Sequence, residues 1–221
     1  MPHDSPTNHI SVGRLSFGLI VLTFTIYLIP GLWGAPLKLI SAFPPPPTYS
    51  ESPFGVGGSG VSNTSSLKGL PNGAELGPHG IMIFTDYENG LAYAKSINKP
   101  IMLDFTGHAC VNCRKMENNV WSDPLILPIL KNDVVLISLF VDDQRPLPKD
   151  KQFITAAGDK IETIGDKWTD FMISKYKTNT QPLYVITDLE GKNLNDTKPT
   201  ISYVSTEEYL VWLKQGISNF K

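Results

Sequence analysis

Residues 99–124 read KPIMLDFTGHACVNCRKMENNVWSDP and carry the strongest structural signal in the chain. Ile101–Thr106 is a mostly apolar run of strand length whose only charged residue is Asp104. Two cysteines, Cys110 and Cys113, follow after a short polar stretch that contains a glycine. This order predicts a buried strand, a short loop and a helix that starts at the first cysteine.

Predicted strands and helices alternate on either side of this stretch. Apolar runs of strand length are separated by segments in which apolar residues recur at helical spacing. We therefore predict an α/β fold with a mixed central sheet and helices on both faces. The polar stretch 143–165 is left without an assignment. The predicted strands are residues 81–84, 101–106, 134–141, 183–187 and 201–204, and the predicted helices are residues 87–97, 110–120, 125–130, 168–176 and 207–215.

The N-terminal part contains a long uncharged segment. Residues 15–37 include no Asp, Glu, Lys, Arg or His, and at about 1.5 Å per residue a helix of this length crosses a hydrocarbon core of about 30 Å. We predict a transmembrane segment over residues 15–39, after an N-terminal flank of residues 1–14. A cleaved secretory signal is the alternative, because residues 15–29 also have the length of a signal's apolar region. Under both interpretations, the rest of the chain lies outside the cytoplasm.

Residues 40–80 are predicted to be a disordered linker. More than half of residues 44–80 are Pro, Gly or Ser, a composition that buries too little apolar surface to offset chain entropy. Residues 81–221 then form one domain of ordinary size. We expect that cutting the linker leaves this domain folded.

Composition excludes two classes of function. The formal net charge is −2 over 221 residues, and no basic stretch suits nucleic acid. Two cysteines cannot build a disulfide scaffold that replaces a hydrophobic core.

The spacing of Cys110 and Cys113 suits redox chemistry. At a helix start the first sulfur meets unpaired backbone N–H groups and the positive end of the helix dipole, which favour its thiolate. A zinc site would need two more ligands, and His79 and His108 lack ligand spacing. Covalent haem attachment would need a histidine where Arg114 stands. A purely structural disulfide remains an alternative.

Residues 99–124 resemble the thioredoxin superfamily, and most closely the exported C-terminal domain of the DsbD family of transmembrane thiol:disulfide reductases. The resemblance extends over about residues 81–221. It implies a thioredoxin-like fold that takes electrons from a membrane domain and passes them to disulfides of exported proteins, including proteins of cytochrome c maturation. It also implies a bacterial inner-membrane protein with this domain in the periplasm, and no cofactor besides the cysteine pair.

The same resemblance assigns the reacting residues. Cys110 is the attacking cysteine and Cys113 the resolving one. Pro182, after Gln181, matches the cis-proline that faces the CxxC, and Gln181 offers its backbone to an extended substrate. Without the resemblance, Pro182 would be expected to be trans, because only about 5–6% of X-Pro bonds are cis.

Two acids and the residues between the cysteines complete the predicted site. Asp104 matches a buried acid beneath the active site, in agreement with its apolar neighbours. Glu117 lies on the same helix face as Cys113, although residue type alone favours an exposed position. Val111 and Asn112 replace the Gly-Pro of thioredoxin and are expected to contact substrate.

Other roles stay open at this point. His108 is a further candidate general base. A net oxidant, an isomerase and a thioredoxin-like binding module are alternatives to a reductase. The reduction potential separates reductase from oxidant, at about −270 mV for thioredoxin and about −120 mV for a strong oxidant.

Overall fold

The computed structural model describes residues 10–30, 40, 69–155 and 158–220. The first helix, α1 (Val12–Leu28), covers part of the predicted transmembrane segment. None of the helices in these described ranges has the length and apolar composition that a bilayer-spanning helix needs. Residues 31–39 of that segment and residues 41–68 of the predicted linker lie outside the described residues.

The predicted mixed sheet is confirmed. Six strands pair in the order β1-β2-β4-β3-β7-β8, and β5 and β6 form a separate hairpin. The neighbours β2, β4 and β3 are parallel, whereas β1, β7 and β8 run antiparallel to the strands they pair with. The strands are β1 (Ala74–Leu76), β2 (Met82–Phe84), β3 (Ile101–Thr106), β4 (Val135–Phe140), β5 (Phe153–Ile154), β6 (Lys160–Ile161), β7 (Leu183–Thr187) and β8 (Thr200–Ile201).

Helices cover both faces of the sheet, as predicted. Two buried apolar clusters fill the space between helices and sheet, one on each face. Alternate residues of β3 supply the two clusters, with Met102 in one and Leu103 and Phe105 in the other, because successive strand side chains point to opposite faces. The helices are α2 (Tyr87–Ile97), α3 (Val111–Met116), α4 (Leu127–Asn132), α5 (Ile164–Tyr176) and α6 (Thr206–Ser218).

The helix predicted over residues 110–120 differs in its second half. Cys110 is the N-cap residue of α3, and the last turn, Glu117–Trp121, is π-helical. Such turns often occur at functional sites. The turn places Glu117, Val120 and Trp121 in the interior of the domain.

The predicted linker boundary at residue 80 is wrong. Strand β1 lies within the predicted linker and pairs with β2, with Ala74 opposite Phe84 and Leu76 opposite Met82. The backbone of β1 covers the outer edge of β2. This pairing stabilises a short strand although the surrounding sequence is rich in glycine and proline. The ordered domain therefore includes residues before the predicted start at 81.

The unassigned stretch 143–165 contains ordered structure on both sides of residues 156–157, which are outside the described residues. Asp143 is buried and forms an ion pair with Arg145. The hairpin of β5 and β6 follows, with Phe153 and Ile154 exposed. The stretch ends at Thr163, whose side chain caps α5.

Candidate active site

The two cysteines lie at the junction between β3 and α3 and are joined by a disulfide, with 5.3 Å between their Cα atoms. Cys110 is partly exposed, whereas Cys113 is only 1% exposed. The backbone N–H of Cys113 donates to the Cys110 sulfur over 3.2 Å. An incoming partner can therefore reach Cys110 but not Cys113; the attacking and resolving roles stay a prediction.

Asp104 is buried in the middle of the sheet, at 2% exposure, as predicted. It lies opposite Ser138 of β4, whose hydroxyl donates to Asp104 Oδ2 over 3.0 Å. Burial raises the pKa of Asp104 to about 7, while the Ser138 hydrogen bond and the positive charge of Arg114 oppose the rise. Asp104 can accordingly exchange a proton near neutral pH.

Glu117 is also buried, at 6% exposure, so the exposed position that its residue type favours is wrong. The π-helical turn carries it inward, and its carboxylate contacts the Arg114 guanidinium at 2.7 Å. Burial raises the pKa of Glu117 to about 8; Arg114 lowers it and Asp104 raises it further. The structure thus places both predicted acids in one electrostatic cluster.

Arg114 also belongs to this cluster, and its role was not predicted from the sequence. Its guanidinium contacts Glu117 and also donates to the Thr106 hydroxyl over 3.2 Å and to the Gly107 carbonyl over 3.4 Å. One cation therefore links the end of β3, the loop before Cys110 and the turn after α3. The sequence signal was a cation three residues before a glutamate, a spacing that brings side chains together on a helix.

A second residue missed by the sequence, Asp142, holds the loop before Cys110. Its carboxylate oxygens accept hydrogen bonds from the backbone N–H groups of His108, over 2.8 Å, and Ala109, over 2.9 Å. The exposed His108 ring stacks on Phe140, with 4.2 Å between ring centroids. The role of His108 as a general base stays a prediction.

The predicted substrate residues lie around the same end of the sheet. The Gln181–Pro182 peptide is cis, which confirms that prediction. Pro182 precedes β7, in which Leu183 pairs with Phe105 of β3. Gln181 approaches the loop closely, because a Cβ on Gly107 would lie 2.9 Å from its Oε1 atom. Val111 and Asn112 are exposed at the start of α3.

This arrangement suits a two-electron exchange between a dithiol and a disulfide. It combines an accessible sulfur, a buried partner sulfur and acids able to take up protons near neutral pH. Within the part of the chain that the structure describes, no three or more His, Cys, Asp or Glu side chains are grouped as metal ligands.

Part of the chain is similar to a known protein family. Residues 82–187 match the family model Thioredoxin_7, described as thioredoxin-like. Among solved structures, an oxidoreductase named DsbH is 19% identical, with 60% of this chain and 82% of that chain covered and a TM-score of 0.44. A thioredoxin from Thermus thermophilus is 21% identical, with 58% and 82% covered and a TM-score of 0.36.

No curated protein sequence matches the chain. The nearer resemblance to the DsbD family stays a prediction. The family match extends from β2 to β7 and includes both cysteines, and this part of the chain is a thioredoxin-like domain.

Proposed function

We propose that this protein is a thiol:disulfide oxidoreductase that reduces disulfide bonds of exported proteins. One observation carries the proposal: a partly exposed Cys110 is bonded to a buried Cys113 at the start of a helix in a thioredoxin-like domain. A disulfide that served only to fix a loop would need neither this difference in exposure nor two buried acids nearby.

The reaction begins with the reduced protein. The Cys110 thiolate attacks one sulfur of a substrate disulfide, that bond breaks, and the leaving thiolate of the substrate takes up a proton. Cys113 then loses its proton, and its thiolate attacks the Cys110 sulfur in the mixed disulfide. The second substrate thiol leaves, and the protein keeps the Cys110–Cys113 disulfide. Two electrons have moved to the substrate.

Asp104 is proposed to accept the Cys113 proton in the second step. It lies in the interior, as Cys113 does, and its raised pKa allows it to gain and lose a proton at neutral pH. Glu117 forms an ion pair with Arg114 and is proposed to offset the positive charge of this residue. Gln181, Pro182, Val111 and Asn112 are proposed to contact the substrate chain.

We further propose that the domain is tethered to the bacterial inner membrane and works in the periplasm. The uncharged run of residues 15–37, the linker composition and the resemblance to the DsbD family support this arrangement. A dithiol in a membrane electron-donor domain or subunit would then reduce Cys110–Cys113 again. Proteins of cytochrome c maturation are among the proposed substrates.

Trapping experiments test the proposed roles of the two cysteines. Cys113→Ser should accumulate exported proteins as covalent adducts on Cys110, because the mixed disulfide cannot be resolved. Cys110→Ser should give none. The readout is a mobility shift that disappears on treatment with dithiothreitol. Equal adducts in both variants, or adducts in neither, would contradict the assignment and favour the binding-module alternative.

The direction of electron flow is tested by the reduction potential of the domain against a glutathione series. A value near that of thioredoxin, about −270 mV, is expected for a reductase. A value near −120 mV would identify a net oxidant with the same cysteine chemistry.

A further inference from the structure

Asp142 makes a paired contact to the loop before Cys110. Its two carboxylate oxygens each accept one backbone N–H, from His108 and from Ala109. Hydrogen bonds to an ionised acceptor are shorter and stronger than neutral ones. Both donors belong to the two residues that directly precede Cys110, so the carboxylate fixes the approach of the chain to the attacking sulfur.

The position of Asp142 follows from the strand it extends. The β3–β4 ladder continues past Phe140, because the N–H of Val141 donates to the Thr106 carbonyl over 2.9 Å. At the next residue, the side chain of Asp142 rather than its backbone accepts the hydrogen bonds from the segment that follows β3. The loop can thus leave the sheet without two unpaired N–H groups.

Two further contacts close the loop onto the same strand end. The His108 ring stacks on Phe140, two residues before Asp142, with the ring planes 13° apart. Gly107 leaves the space that the carboxylate needs, since a Cβ there would lie 2.9 Å from Asp142 Oδ2. The loop is therefore held by its backbone and by one ring against a rigid part of the sheet.

We propose that Asp142 is a positioning residue of the thiol:disulfide exchange. It holds residues 107–110 in the conformation that directs the Cys110 sulfur at a substrate disulfide. This inference rests on the proposed function, because it assigns Asp142 to the same site and the same reaction. Small displacements of a reacting atom reduce rates strongly, by on the order of 100-fold for about 1 Å.

The test compares Asp142→Ala and Asp142→Asn in the full chain, with Asp133→Asn as the matched control. Asp133 is an exposed aspartate at the opposite end of β4. Alanine removes both acceptors, whereas asparagine keeps one acceptor oxygen and turns the other position into a donor. The probe is insulin, whose disulfides are reduced by each protein with dithiothreitol as the electron source.

We expect the Ala variant to lose about 10- to 100-fold in kcat with KM changed by no more than about twofold, and the Asn variant to fall between it and wild type. Amide exchange measured by NMR on the oxidised proteins should accelerate at His108 and Ala109, by about 10-fold or more in the Ala variant, while the β3 amides keep their protection. The Asp133→Asn control should match wild type in both measurements.

Unchanged kcat, or unchanged exchange at these two amides, in a variant that melts like wild type would overturn the positioning role. If Asp142→Ala does not fold, the Asn variant decides by the same two measurements. A wild-type protein that reduces no insulin would contradict the proposed function itself. In that case the exchange rates still decide whether Asp142 holds the loop.

Discussion

Asp104 and Glu117 both interact with one cation, Arg114, in the interior of the domain. With both acids ionised the group would carry an uncompensated negative charge in a region of low polarity, which burial makes unfavourable. One proton near neutral pH removes that charge. The acids therefore titrate as a coupled group, and in the exchange that we propose its ionised form accepts the proton from Cys113.

This coupling predicts how the fold responds to pH. Folding raises the pKa of Asp104 to about 7 from 3.8, so the folded protein binds more protons than the unfolded chain between these values. Its unfolding free energy should then fall as pH rises from about 4 to about 7, by on the order of 3 kcal/mol for this group between pH 4 and pH 8. Asp104→Asn should remove this part of the loss, whereas the part that comes from the raised pKa of Glu117 should remain.

Urea unfolding of the oxidised proteins at pH 5 and pH 8 measures the effect without titration of the cysteines. The exposed Asp133→Asn variant serves again as the control. Its unfolding free energy should fall between pH 5 and pH 8 by the same amount as that of wild type. An Asp104→Asn variant with the same loss of stability as wild type would show that Asp104 is not the group responsible.

The sequence predicts the burial of one of the two acids but not of the other. Burial of Asp104 follows from its apolar neighbours in a central strand, and the structure agrees. Burial of Glu117 does not follow, because it depends on a π-helical turn and on a guanidinium that reaches back to Thr106 and Gly107. Asp142 was missed because its partners are backbone groups more than 30 residues away.

Among the secondary-structure elements, α2, β3 and β7 have the bounds that their sequence patterns predict. Each is a continuous helical or apolar pattern with clear end signals, such as the left-handed Asn98 after α2. Strand β8 is shorter than predicted, and β5 and β6 were not predicted. These three are two-residue strands, too short for a periodic signal.

Helix α5 begins at Ile164, four residues before the predicted start at 168. The early start is stabilised by reciprocal hydrogen bonds between Thr163 and Asp166, a capping box that the sequence contains. Gly165 obscured it, because glycine is a poor helix former. Its role is steric: a Cβ there would lie 2.6 Å from the Val141 carbonyl oxygen and 2.8 Å from the Asp143 nitrogen.

Gly165→Ala should therefore destabilise the domain by about 1–3 kcal/mol, since backbone atoms cannot yield as a side chain can. Because Val141 and Asp143 flank Asp142, insulin reduction should slow as well. Gly90→Ala is the comparison, because the nearest atoms to its added methyl group are side-chain carbons of Ile137 rather than backbone atoms. Urea unfolding and the insulin assay measure both effects. A Gly165→Ala variant as stable as wild type would contradict this steric role.

At the scale of the whole molecule, the ordered domain begins earlier than composition suggests. Strand β1 covers the edge of β2, and the His79 ring nitrogen donates to the Glu117 carbonyl over 2.8 Å. The sequence could not predict this, since a three-residue strand among glycines and prolines has no periodic signal. The domain boundary is fixed by pairing across the sheet.

A truncation series tests this boundary. Residues 69–221 should unfold at the same urea concentration as the full chain, because no described residue before 69 pairs with the sheet. Residues 82–221 should be less stable by about 1 kcal/mol or more, through loss of the β1 pairing and the His79 hydrogen bond, and should self-associate through the uncovered edge of β2. Equal midpoints and a monomeric shorter fragment would contradict the assignment of β1 to the domain.

The direction of β1 also determines how the domain faces its attachment. Because β1 is antiparallel to β2, and β2, β4 and β3 are parallel, the chain arrives from the end of the sheet at which β3 leads to Cys110. β1 and β3 are three strand spacings apart, about 14 Å. In the tethered protein that we propose, the chain therefore enters the sheet at the end that carries the reactive sulfur. Because donor and substrate would both react with Cys110, each must occupy this end of the sheet in turn, and the domain cannot be reduced by its donor while a substrate is bound there.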